Sequence, residues 1–105
     1  MLNADAAFSA LADPTRREIM TLLGSGEKSL SEITPHFDMS RPAVSKHVRI
    51  LEGAGLIQIS PKGRRRIHRL NPKGLQPVSE WIGLFDAFWD DRLAALKSTI
   101  EGENT

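Results

Sequence analysis

The chain has 105 residues, 40% hydrophobic and 26% charged, which describes one ordinary domain with enough apolar material for a core and excludes a disordered polyelectrolyte. It has no cysteine, which excludes a disulfide framework, a thiolate metal site and a cysteine nucleophile together. The net charge is only +1, but residues 41–73 hold nine Lys/Arg against one acid, Glu52 (+8), and the remainder holds five against twelve (−7), a segregation that points to a polyanion site on one side.

In chain order, residues 4–11 predict a short apolar helix with Ala6, Ala7, Phe8 and Leu11 as its sticky positions and Leu2 nearby. Asp13 caps a second helix, and Pro14 takes its first turn, where a missing N–H costs nothing. That helix runs through Leu23, buries Ile19, Leu22 and Leu23, and ends at Gly24 and Gly26. Arg16, Arg17 and Glu18 read as solvated. Ser29-Leu30-Ser31-Glu32 has the spacing of a capping box, so a third helix starts near Leu30 and turns Leu30, Ile33 and Phe37 inward. Pro35 lies past its first turn, which makes this helix short, kinked or finished near Thr34.

The stretch SRPAVSKHVRILEGAGLI, residues 40–57, is the most sharply marked. Ser40 is an N-cap, Pro42 falls in the first turn, and Gly53 and Gly55 close the segment. Winding it at ~100° per residue puts Ala43, Val44, Val48, Ile50, Leu51 and Ala54 on an inner side. Arg41, Pro42, Ser45, Lys46 and Arg49 fall on the other. A helix that buries one side and shows hydroxyl, guanidinium and ammonium on the opposite one suits a DNA major groove.

Residues 56–60 alternate and are rich in β-branched side chains, residues 61–64 read as a turn, and residues 65–70 return as a second strand. The hairpin tip carries Lys62, Arg64, Arg65 and Arg66, which suit phosphates or a narrow minor groove. Asn71-Pro72-Lys73-Gly74 reads as a further break. From about residue 75 to 101 one long helix is expected, with Val78, Trp81, Ile82, Phe85, Phe88, Trp89, Leu93, Leu96 and Ile100 at three- and four-residue steps. So broad a stripe exceeds what a small interior can hide. Leu2, Phe8, Leu11, Trp81, Phe85, Phe88, Trp89, Leu93 and Leu96 are therefore expected to meet a second copy of the chain.

Nothing in the chain reads as catalytic. His36, His47 and His68 lie on three separate elements without the spacing of a zinc site, and His47 faces inward as a packed or backbone-bonded imidazole. Asp86 and Asp90 share a helix face but have no histidine or cysteine beside them. No phosphate-cradling glycine loop and no serine elbow is present. No metal and no cofactor are expected. No apolar run approaches the ~20 residues of a membrane span, and MLNADAAF is not a secretion signal, so a cytoplasmic location is expected.

These residues resemble the ArsR-type winged helix-turn-helix repressors over nearly the whole chain. ALADPTRREIMTLL is similar to the family's opening helix pair, LSEITPHFDMSRPAVSKHVRILEGAGLI to its helix-turn-helix, and GRRRIHRLNP to its wing. WIGLFDAFWDDRLAALKSTI looks like the C-terminal dimer helix of a metal-independent branch. The resemblance implies a mainly α domain with a small β-hairpin wing over residues 1–105. Its helix-turn-helix would span about 29–55, its wing about 56–70 and its dimer helix about 75–101. It also implies a homodimer with Arg41, Pro42, Ser45 and Lys46, behind the Ser40 cap, at base edges, and Arg49 and the wing arginines toward phosphates. The cysteine pair or the histidine and acid set of metal-sensing members is absent. The expected partner is double-stranded DNA with an imperfect palindrome, and the expected role is repression by promoter occlusion. Two alternatives fit the same charge pattern: a winged-helix protein-interaction module docking an acidic partner, and a sensor gated by an unknown effector.

Overall fold

A computed structural model describes residues 4–103, with side chains through residue 100. Six helices and three short strands occur in the order α1 (Ala4–Leu11), α2 (Pro14–Gly24), β1 (Lys28–Ser29), α3 (Leu30–Ile33), α4 (Arg41–Gly53), β2 (Ile57–Lys62), β3 (Arg65–Leu70), α5 (Pro72–Gly83) and α6 (Asp86–Glu103). The strands form one antiparallel sheet in the order β1-β3-β2, so the expected hairpin gains a third strand. In that strand Lys28 pairs with His68 and Ser29 with Ile67. A two-residue strand has too little sequence to carry an alternation, so no pattern announces it.

The core is the meeting of α2, α3 and α4 with the sheet. Ile19, Ile33, Val44, Leu51 and Leu56 are its fully enclosed side chains, with Ala7 and Ala10 of α1 beside them. α2 and α4 start as their sequences dictate. The Asp13 carboxylate accepts from Arg16 N at 3.0 Å to cap α2, and Ser40 Oγ accepts from Ala43 N at 3.3 Å to cap α4. Pro35 ends α3 after Ile33, and the chain tightens into a 3-10 turn, Thr34–His36.

One inward assignment and one outward assignment change. Ile50 stands exposed, because it lies about 120° around the helix from the buried Val44–Val48–Leu51 arc. Arg16 and Arg17 are not idle on the surface. Arg16 Nε donates to Ala10 O at 2.6 Å, and Arg17 Nη1 donates to Leu11 O at 2.9 Å and to Ala12 O at 3.1 Å. They satisfy carbonyls that the end of α1 leaves without helical partners. Within DPTRR, one side chain caps the following helix and two cap the preceding one.

The C-terminal half differs most from expectation. Residues 71–74 do not interrupt the chain; Asn71 precedes α5 and Pro72 opens it, so the helix begins three residues earlier. The long helix is also two. Leu84 N and Phe85 N bond back three residues, to Trp81 O and Ile82 O, and α6 restarts at Asp86. An apolar period counts residues and is blind to a short break that keeps the count. The molecule extends 63 × 32 × 23 Å with a radius of gyration of 18.3 Å, against about 13 Å for a compact chain of this length. Among the described residues, no helix is long and apolar enough to cross a membrane.

The end of the α4 segment is locked to α5 at one crossing. Asn71 N donates to Leu56 O at 2.9 Å and Asn71 Nδ2 to Gly55 O at 2.8 Å. Gly55 adopts φ +79°, and Gly74 lies so close against it that an added Cβ would overlap the Gly55 carbonyl. Gly74→Ala is therefore expected to destabilise the fold by about 1–3 kcal/mol through overpacking against backbone that cannot yield. Urea unfolding should show a lower midpoint with unchanged slope.

Candidate nucleic-acid interface

The polar side of α4 and the wing enclose a groove of about 590 Å³, lined by Arg41, Ser45, Arg49, Arg64, Arg65 and Arg66 with one acid, Glu52, and with Val48, Ile59 and His68 at its floor. Burial of Val44, Val48 and Leu51 leaves the opposite side of α4 no choice but to face outward. Arg41, Pro42, Lys46 and Arg49 are exposed and Ser45 is half-buried. Ser40 is exposed as well, but its hydroxyl is engaged in the helix cap.

The hairpin is tighter and longer than expected. Its turn is only Gly63-Arg64, with Gly63 at φ +67°, and Lys62 pairs with Arg65 across it. Pro61 belongs to β2 and not to the turn, which is tolerable because β2 is an outer strand whose N–H positions need not all donate. His68 is buried and its Nδ1 lies 3.0 Å from Lys28 O, fixing β3 to β1 by a side chain.

The four wing cations divide into two kinds. All three arginines line the groove, but among the described residues the side chains of Arg64 and Arg66 make no hydrogen bond or ion pair with the protein. Arg65 and Lys62 are engaged. Arg65 Nη2 donates to Glu32 Oε1 at 2.7 Å and to Ser29 Oγ at 2.9 Å, and Lys62 Nζ stands 3.7 Å from Glu27 Oε1. The equal standing of the wing cations expected from the sequence is thus corrected: two are tied to acids near the start of α3. Glu27 carries no local signal in the sequence. Glu32 is visible there as a cap, but its arginine lies 33 residues away.

His47 faces the body, as expected, but it contacts side chains and not backbone. Arg16 Nη1 donates to its Nδ1 at 3.4 Å, and Asp13 Oδ2 lies 3.8 Å away. The joint between α1 and α2 thus reaches the inner side of α4. No group of three His, Cys, Asp or Glu among the described residues could hold a metal ion.

The apolar residues assigned to a second copy fall into two sets. Phe8, Trp81 and Phe85 stack edge to face at 5.6 and 5.2 Å, and Phe88 and Trp89 do so at 5.5 Å, yet all five are exposed. Leu93 and Leu96 are more than half exposed. Leu11 differs: it is half-buried against the core and belongs to the body. Leu2 lies outside the described residues.

A helix cradled by two others, its polar side forming one wall of a cationic groove and a β-hairpin the other, is a winged helix-turn-helix. Residues 13–58 match the family described as bacterial regulatory protein, arsR family. The HTH-type transcriptional regulator Rv2034 of Mycobacterium tuberculosis is 37% identical over 94% of this chain and 90% of its own length. The chain belongs to the arsR family. The transcriptional repressor SdpR of Bacillus subtilis is 39% identical over 71% of this chain and 83% of its own. Among solved structures, the ArsR family transcriptional regulator RHA00566 superposes with a TM-score of 0.71 at 34% identity, covering 82% of this chain and 89% of that one. A homodimeric winged helix-turn-helix DNA-binding domain from Mycobacterium bovis superposes at 0.62 with 25% identity, covering 85% and 80%. As an arsR-family member the chain is a DNA-binding transcriptional regulator and not an enzyme.

Two carboxylates in the motif titrate below their ordinary values. Asp13 is lowered from 3.8 first by the Arg16 amide, then by the charges of Arg16 and His47. Glu32 is lowered from 4.5 by the Ser29 amide and hydroxyl, then by Arg65. In acid the folded chain thus holds fewer protons at these groups than the unfolded one. Their stabilising contribution is complete above those ordinary values and is lost as the pH falls through the depressed ones. Thermal midpoints recorded from about pH 6 down to about pH 2 should fall, and Asp13→Asn should show a shallower acid decline than the parent.

Proposed function

We propose that the chain acts as a homodimeric repressor that occupies an imperfect palindrome and represses by covering a promoter. The observation that carries this reading is the groove between α4 and the wing, where unpaired cations line both walls. Arg41, Pro42, Ser45 and Lys46 meet base edges, since α4 presents them along its one exposed side. Arg49, Arg64 and Arg66 take phosphates on either side of the helix. Two copies would present their recognition helices ~34–36 Å apart, one turn of B-form DNA, and a palindromic site follows from the two-fold axis.

The exposed stripe of α5 and α6 supports the dimer. Trp81, Phe85, Phe88, Trp89, Leu93, Leu96 and Ile100 are each 43% or more exposed, an apolar load that a monomer in water does not leave open. Phe8 extends that surface onto α1 through its contact with Trp81. That the Mycobacterium bovis relative is homodimeric supports a dimer.

Lys46→Ala is expected to lose ~1–3 kcal/mol on a selected site and to relax preference at one base position, with little change on random duplex. Arg64→Ala should weaken binding to every sequence and reduce the slope of log K against log salt by about one. Fluorescence anisotropy across a salt series separates the two behaviours, and equal losses for Lys46→Ala on selected and random DNA would remove it from base reading. Leu93→Asp combined with Leu96→Asp should sediment as a monomer at micromolar concentration and lose the palindrome, with a lower thermal midpoint that no longer depends on protein concentration. Neither leucine belongs to the core.

A further inference from the structure

The wing is held at both legs by the segment that opens α3. Lys62, the last residue of β2, faces Glu27 at 3.7 Å. Arg65, the first of β3, is bonded at 2.7 Å to Glu32 and at 2.9 Å to Ser29. Ser29 joins three structures at once. It pairs with Ile67 in the sheet, accepts from Glu32 N at 3.3 Å to cap α3, and donates through Oγ to Glu32 Oε1 at 3.0 Å. Glu32 Oε1 also accepts from Ser29 N at 3.0 Å. One carboxylate oxygen therefore closes the capping box and receives the wing arginine.

Such an acid is badly placed if the surface exists only to attract phosphates, because it cancels a cation at the lip of the groove. We propose that Glu32 and Arg65 are positioning residues: their ion pair sets the wing against α4 so that Arg64 and Arg66 reach the DNA backbone, and Arg65 itself touches no phosphate. The inference rests on the DNA-binding reading above and adds to it a division of labour within the run Arg64-Arg65-Arg66. The tip cations grip, and the arginine between them anchors.

Glu32→Gln separates the two electrostatic possibilities, since glutamine still completes a capping box and only the charge is lost. A simple attraction model makes Glu32→Gln bind duplex more tightly and with a steeper salt slope, because an acid has gone and Arg65 is released. The clamp makes it bind about two- to fivefold more weakly, the scale of one exposed ion pair. Arg65→Gln should weaken binding by a similar factor with the salt slope of the parent, whereas Arg64→Gln lowers that slope by about one. The double variant Glu32→Gln/Arg65→Gln should be no weaker than either single one. Tighter binding by Glu32→Gln, a reduced slope for Arg65→Gln, or additive losses in the double variant would each overturn the proposal. Hydrogen exchange of the free protein supplies a readout that needs no DNA. In Glu32→Gln the amides of β2 and β3 should exchange faster while those of α4 do not change. Unchanged wing exchange would overturn the clamp alone. A parent chain that binds no duplex at low salt, with the wing still loosened by Glu32→Gln, would overturn the regulator reading and with it the pair's role in DNA binding.

Discussion

The structure depends on the one-sided burial of α4. Val44, Val48 and Leu51 are enclosed on a narrow arc, which drives Arg41, Lys46 and Arg49 on the far side outward. At roughly 1.5–3 kcal/mol for each enclosed aliphatic side chain, no alternative rotation of the helix can compete, because turning it would bury Lys46 and Arg49 unpaired. The interface is thus placed by hydrophobic burial on the far side of the same helix. Its chemistry is free to vary without altering the fold.

A second layer of order comes from polar side chains that act across element boundaries. Asp13, Arg16 and Arg17 join α1 to α2 and reach His47 on α4. Ser29 and Glu32 join β1, α3 and the wing. Asn71 and Gly74 join the end of the recognition segment to α5. Each joint lies where the chain changes direction, and each leaves the outward side of α4 untouched.

Much of this is legible in the chain itself, because caps, breakers and apolar periods are local. Ser40 and Pro42 mark the start of α4, Ser29 and Glu32 that of α3, and Pro35 its early end. The arsR-family identity follows from the same stretches. What escapes a sequence reading is non-local or metrical. The pairing of Arg65 with Glu32 links residues 33 apart, so the arginine run reads as uniform when it is not. The strand Lys28–Ser29 is too short for a pattern. Ile50 reads as inward because it is apolar, although its angle on the helix takes it out of the buried arc. The break at Leu84-Phe85 keeps the apolar count intact, so two helices read as one.

The sheet itself has a further consequence. Both of its outer edges are poor templates for another strand: β1 is only two residues long, and β2 offers an imino nitrogen at Pro61 and an ammonium at Lys62. Chains cannot zip together through such borders, as unprotected sheets do when they aggregate. Self-association is thereby channelled to helical surfaces, and the hairpin stays a solitary finger.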